Sequence, residues 1–140
     1  SEISDENFKL LLEYDKQCFG FNRKTFLKTW LAMPNSRTWI YIDNDKLKGY
    51  TTIRRAVKGY KVGPLFADDP LIAEELYKMC LNSFIDEPLY IDIPVINPDA
   101  VEMIKKFNTS CIFECARMYY GKAPDINKNN VFGITTFELG

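Results

Sequence analysis

GYKVGPLFADDPLIAEELYKMCLNSFIDEPLYIDIPVINPDAVEMIKKF, running from Gly59 to Phe107, reads as strand, helix, strand, helix, and that order decides the fold. Both helices carry the same start signal. Asp69-Pro70 and Asn97-Pro98 each set a side-chain cap before a proline at the first helical position, where a missing N–H costs nothing. The strand before the first helix, Tyr60 to Ala67, is mostly apolar; the one before the second, Leu89 to Val95, is apolar but for Asp92. Two strands joined by a helix of this length lie parallel through a right-handed crossover. Such a unit gathers helix N-termini and strand C-termini on one edge, where α/β sheets take their ligands.

The flanking segments supply the rest of that sheet. Asp5 to Asp15 places Phe8, Leu11 and Leu12 on one helical face, with Ser4 as its cap. After Phe19-Gly20, Asn22 caps a second helix whose stripe is Phe26, Leu27, Trp30 and Leu31, ended by Met33-Pro34. Thr38 to Asp43 and Leu47 to Ala56 form a hairpin around Asn44-Asp45, and Lys58-Gly59 turns the chain into Tyr60 to Phe66. The crossover helix, Pro70 to Phe84, is predicted to bury Ile72, Leu76, Met79, Cys80 and Ser83. The shorter helix, Pro98 to Phe107, turns Ala100, Ile104 and Phe107 inward, and Cys111 to Tyr120 and Val131 to Leu139 return to strands. The fold class is therefore α/β (α+β), one domain over residues 1–140 in the order α-α-β-β-β-α-β-α-β-β. Its mixed sheet carries helices on both faces.

Composition narrows the function. Eighteen basic against nineteen acidic residues give a net charge of -1, so bulk electrostatics favours neither nucleic acid nor an anionic membrane. No apolar run approaches the length of a membrane span, and the N-terminus does not read as a signal peptide. With no histidine, a histidine base or triad is impossible. Cys18, Cys80, Cys111 and Cys115 lack metal-ligand spacing, so no metal is expected; they read as reduced thiols of a cytoplasmic protein.

NPDAVEMIKKF, Asn97 to Phe107, resembles the N-x-x-A-x-x-L-Y-x-x-x-G-F stretch of the GNAT N-acetyltransferase superfamily, with Asn97, Ala100 and Met103 in register. Ile104 stands where the family has a tyrosine that protonates the departing thiolate, and Asn108 stands at its glycine. The element order looks like that fold without its first strand. A closer resemblance is to the C-terminal GNAT-like half of two-part acetyltransferases of bacteria and nematodes. It rests on FGFNR (Phe19 to Arg23), GYKVGPLFAD (Gly59 to Asp68), YIDIPVIN (Tyr90 to Asn97), ARMYYG (Ala116 to Gly121) and FGITTFELG (Phe132 to Gly140). This resemblance implies an acyl-CoA-dependent N-acetyltransferase, with acetyl-CoA as co-substrate and a small-molecule or peptide amine as acceptor. The alternative is a degenerate module that pairs with another GNAT-like domain. The bare Ser1 is in keeping with the second half of a longer protein.

The resemblance also implies a site. The strand would splay at Gly63-Pro64, so that amides of Gly63, Leu65 and Phe66 meet the pantetheine arm; a plain bulge at the proline fits the same residues. Leu71, Ile72 and Ala73 at the helix start would receive the pyrophosphate, although Asp68 and Asp69 place negative charge there. Asn97 would touch the pantetheine or serve only as a cap, and Lys105, with Lys106, would reach nucleotide phosphates or face solvent. Without histidine the base must be a carboxylate: Asp92, the one charge in an apolar strand, or else Glu114. The structural reading pairs Asp92 with Arg117 or a tyrosine across the sheet. Tyr119, with Tyr120 beside it, is the candidate acid. The apolar terminal strand, left at an edge, would support a homodimer.

Overall fold

A computed structural model describes residues 3–56, 59–83, 89–94, 97–107, 114–116 and 130–133. Its elements follow the expected order: α1 (Asp5–Phe19), α2 (Lys24–Leu31), β1 (Ser36–Asp43), β2 (Lys46–Arg55), β3 (Tyr60–Ala67), α3 (Pro70–Ser83), β4 (Leu89–Pro94), α4 (Pro98–Phe107), β5 (Glu114–Ala116) and β6 (Val131–Gly133).

Local chemistry accounts for the boundaries. Ser4 accepts from the Asn7 N–H at 3.2 Å, and Asp5 and Glu6 favour the positive end of α1. Gly20, at φ 100°, closes α1 with its N–H on the Lys16 carbonyl. The helix thus runs one turn beyond the expected Asp15, because Cys18 continues the buried face set by Leu11 and Tyr14. Asn22 accepts from the Lys24 N–H at 3.0 Å as α2 begins. Asn44 and Asp45 both have positive φ, the requirement of the two-residue turn whose twist suits a hairpin.

β1, β2 and β3 form an antiparallel meander, β3 to β4 and β4 to β5 are parallel, and β6 joins β3 antiparallel. α3 and α4 cover one face over Ile53, Val62, Leu65, Leu76, Ile91 and Ile104. α1 and α2 cover the other over Tyr50, Phe66 and Val131. The inward stripe of α3 is rotated from the expected one. It buries Ile72, Ala73, Leu76, Tyr77 and Cys80, whereas Met79 is 46% exposed and Ser83 is half-buried. Tyr77 accounts for this: its large ring takes the interior, and residues on the far side of the stripe turn outward. On α4, Ala100 and Ile104 face inward as expected, joined by Met103.

Charge is buried where α1, α2 and β2 meet. Asp15 is fully buried and receives Arg23 on both oxygens, Nε to Oδ2 and Nη2 to Oδ1, each at 2.7 Å. The Tyr50 hydroxyl donates to the same carboxylate, and the guanidinium lies 3.9 Å from the Phe19 ring centroid. Burial is the largest single influence and opposes the charge on Arg23, but the hydrogen bonds and charges of Asp15 and Tyr50 together outweigh it and raise the guanidinium above its ordinary value. Burial, then the Asp15 charge, push the Tyr50 phenol well above its usual range, so it stays a donor. Truncating one partner strands the other in the interior. Arg23→Ala should therefore lower unfolding free energy in urea by about 3–5 kcal/mol. The double replacement Asp15→Leu with Arg23→Leu should recover much of that loss.

Candidate active site

The geometry is set where β3 and β4 part. Among the described residues, β3 pairs with β4 only over Tyr60–Val62 against Leu89–Ile91. The register against β2 then slips: Ile53 faces Val62 but Thr51 faces Leu65, so Gly63 and Pro64 together oppose one residue. This is a bulge at a residue that cannot donate to a ladder. Its two carbonyls are met from opposite faces, Gly63 by the Trp30 indole N–H at 3.2 Å and Pro64 by the Thr51 hydroxyl at 2.9 Å. The strand divergence expected at Gly63-Pro64 is present.

The opening is not vacant. Beyond the bulge β3 gains a new neighbour, with Leu65 opposite Gly133 and Phe66 opposite Val131 of β6. Val131 packs among the residues under α1, while Phe132 is fully buried on the α3 and α4 side. Burying a phenylalanine ring stabilises by roughly 1.5–3 kcal/mol. Gly133 sits in the crotch of the two strands, where an added Cβ would lie 3.0 Å from Leu65 Cβ and 3.1 Å from Ile91 Cδ1. Asn97 is fully buried and uses both ends of its amide: Oδ1 caps α4 by accepting from the Asp99 N–H at 3.1 Å, and Nδ2 donates to the Val131 carbonyl at 2.9 Å. Val131–Gly133 is thus a buried strand paired with β3.

At the start of α3, Asp69 Oδ1 accepts from the Ile72 N–H at 2.9 Å, and the Asp69 carbonyl takes the Ala73 N–H. Asp68 is held at the mouth by Tyr14, whose hydroxyl lies 2.9 Å from Asp68 Oδ1 and 3.0 Å from the Lys48 carbonyl. Ile72 and Ala73 are buried, while Leu71 is 74% exposed. A groove of about 490 Å³ between α3 and α4 has mixed charge, with Glu74, Asp99 and Glu102 beside Lys105 and Lys106. Lys106 bridges the helices to Glu74 at 2.7 Å, and Lys105 is exposed, 3.9 Å from Glu102.

Of the proton-transfer candidates, Asp92 on β4 and Glu114 on β5 are register partners in the parallel pair, described at the level of the backbone. Tyr119, like Tyr120 and Arg117, lies outside the described residues. No helix among the described residues is long and apolar enough to cross a membrane.

Comparison to known proteins gives the chain a family. Residues 11–133 match the family described as the acetyltransferase (GNAT) domain. The chain belongs to the GNAT acetyltransferase family. Its sequence is 28% identical over 139 residues to holothin acyltransferase of Pseudoalteromonas sp. (strain SANK 73390), across 99% of this chain and 47% of that protein. Its fold is similar to the crystal structure of a "putative acetyltransferase" from Pyrococcus horikoshii. That likeness has a TM-score of 0.71 at 27% identity and covers 99% of this chain and 44% of the other. The GNAT chain described here thus spans about half the length of these relatives. The mixed α/β architecture read from sequence is that of an acetyltransferase fold.

Trp30 and Thr51, which satisfy the bulge, are missed by sequence reasoning, as is the role of Val131–Gly133. Trp30 reads as part of an apolar stripe, and nothing local to Thr51 points to a carbonyl across the sheet. The small residue in VFG is the one available signal that a strand passes close to others.

Two thiols flank this region. Cys18 lies against Tyr14, and Cys80 lies on α3 beside Thr51; both are buried and free. Burial pushes each up to about 12 from a usual 9.0. Between those values an unfolded thiol ionises while the folded one keeps its proton, so the folded state binds more protons and loses stability as pH rises. Unfolding free energy should fall from about pH 9 towards 12. That loss should shrink in a Cys18→Ala, Cys80→Ala variant, and neither native thiol should react with iodoacetamide at pH 8.

Proposed function

We propose that this domain belongs to an acyl-CoA-dependent N-acetyltransferase, which moves an acetyl group from a thioester to a small-molecule or peptide amine. The observation that carries this reading is the match of residues 11–133 to the GNAT acetyltransferase domain, on a chain that has an acetyltransferase-like fold. The acyltransferase relative supports acyl transfer, and family membership supports acyl-CoA as donor. Aminolysis of a thioester needs a base for the amine proton, and in a chain without histidine a carboxylate is the choice. Asp92 is proposed for that role, with its register partner Glu114 second and Tyr119 as the acid.

A second reading is favoured by one observation, the seating of β6 in the opening: this domain pairs with another GNAT-like domain that does the chemistry. Release of free CoA thiol from acetyl-CoA, followed across a panel of amines with the protein that carries this domain, tests the first reading. If Asp92 is the base, Asp92→Asn should lower turnover by about 10²–10⁴-fold with little change in the amine KM. Under the pairing reading the rate stays within about twofold. Absence of thiol release with every amine would contradict both.

A further inference from the structure

We infer that the opening between β3 and β4 is filled by the chain itself, with the backbone of Val131–Gly133 standing where a pantetheine arm would lie. The acyl-CoA of the proposed reaction is therefore bound elsewhere than in this opening. The proposal rests on the acyl-CoA reading only in naming the ligand that is kept out.

Three groups in this cleft suit an extended polar arm, and β6 engages all three. The backbone of Leu65 and Phe66, released from β4 by the bulge, pairs with Gly133 and Val131. The Asn97 side-chain amide, buried at the start of α4, is 2.9 Å from the Val131 carbonyl. The space between the strands is reduced to the width of a glycine, since a Cβ on Gly133 would already press on Leu65 and Ile91. An arm in this place would have to displace a strand whose Val131 and Phe132 belong to opposite sides of the core. Returning the Phe132 ring to water alone weakens such binding by about 10- to 100-fold.

The mouth reinforces the exclusion. A pyrophosphate at the start of α3 would meet Asp68 and Asp69, and the Ile72 N–H that it would use is already held by Asp69 at 2.9 Å. Asp68 is fixed in place by Tyr14, with Asn130 Nδ2 3.5 Å from its Oδ1. Asn130 directly precedes β6, so the chain that fills the opening also reaches its acidic rim. Charge at the rim and backbone in the slot exclude the same ligand by independent means.

Titration of the 140-residue chain with CoA to about 1 mM, followed by site-resolved NMR, tests the inference. The amide signals of Leu65, Phe66 and Gly133 and the side-chain amide of Asn97 should not move. Saturable shifts at these positions, with loss of the Leu65–Gly133 contact, would overturn it. Asn97→Asp provides the second test, because it keeps the cap acceptor of α4 and removes the donor to Val131. In ligand-free protein it should lower the melting temperature by about 2–8 °C. A melting temperature unchanged to within about 1 °C would also overturn the inference. A protein that fails to release thiol from acetyl-CoA would defeat the acyltransferase reading and leave these results intact. Saturable CoA shifts at Leu65 would defeat only the filled opening.

Discussion

The structure depends on how β3 satisfies its backbone. Buried amides and carbonyls must find partners, and a proline in an interior strand breaks the ladder that would supply them. β3 meets this by changing neighbours. Up to Val62 it lies beside β4; at Gly63-Pro64 its carbonyls turn to Thr51 and Trp30; from Leu65 onward it lies beside β6. β2 stays on the other side throughout, apart from the slip at the bulge. The parted strands follow from one residue type, and the inserted strand follows from the need to pair what the parting released.

That constraint links the two faces of the molecule. Trp30 reaches the bulge from α2, and Thr51 reaches it from the face covered by α3. The Asp15–Arg23–Tyr50 cluster holds α1 and α2 against β2, and Tyr14 ties α1 to Lys48 and to Asp68 at the start of α3. Arg23 and Asp69 therefore have explanations inside the fold, the first neutralising a buried carboxylate and the second capping a helix. In a family whose name denotes a reaction, these residues serve stability.

Much of this was legible in the chain. Asp69-Pro70, Asn97-Pro98 and Ser4 announced helix starts through local chemistry, and Asn44-Asp45 announced a hairpin because few residues accept positive φ twice in succession. The bulge was legible because proline lacks a donor. The role of Asn97 was legible by half: its cap joins near neighbours, but its bond to Val131 spans thirty-four positions. The same limit hid β6, since a strand's neighbour is a long-range property that alternation of apolar residues does not encode. Tyr77 shows a different limit, because periodicity marks an inward stripe but volume decides which way the stripe rotates.

Amide hydrogen exchange along β3 tests the central claim most directly. In a strand, successive N–H groups point to opposite neighbours, so of Leu65 and Phe66 one faces β2 and the other faces β6. A β3 that is paired on both sides along its length predicts slow exchange at both residues, comparable to Val62. Fast exchange at one of the two, with the other protected, would show an open cleft beside β3 and contradict the account.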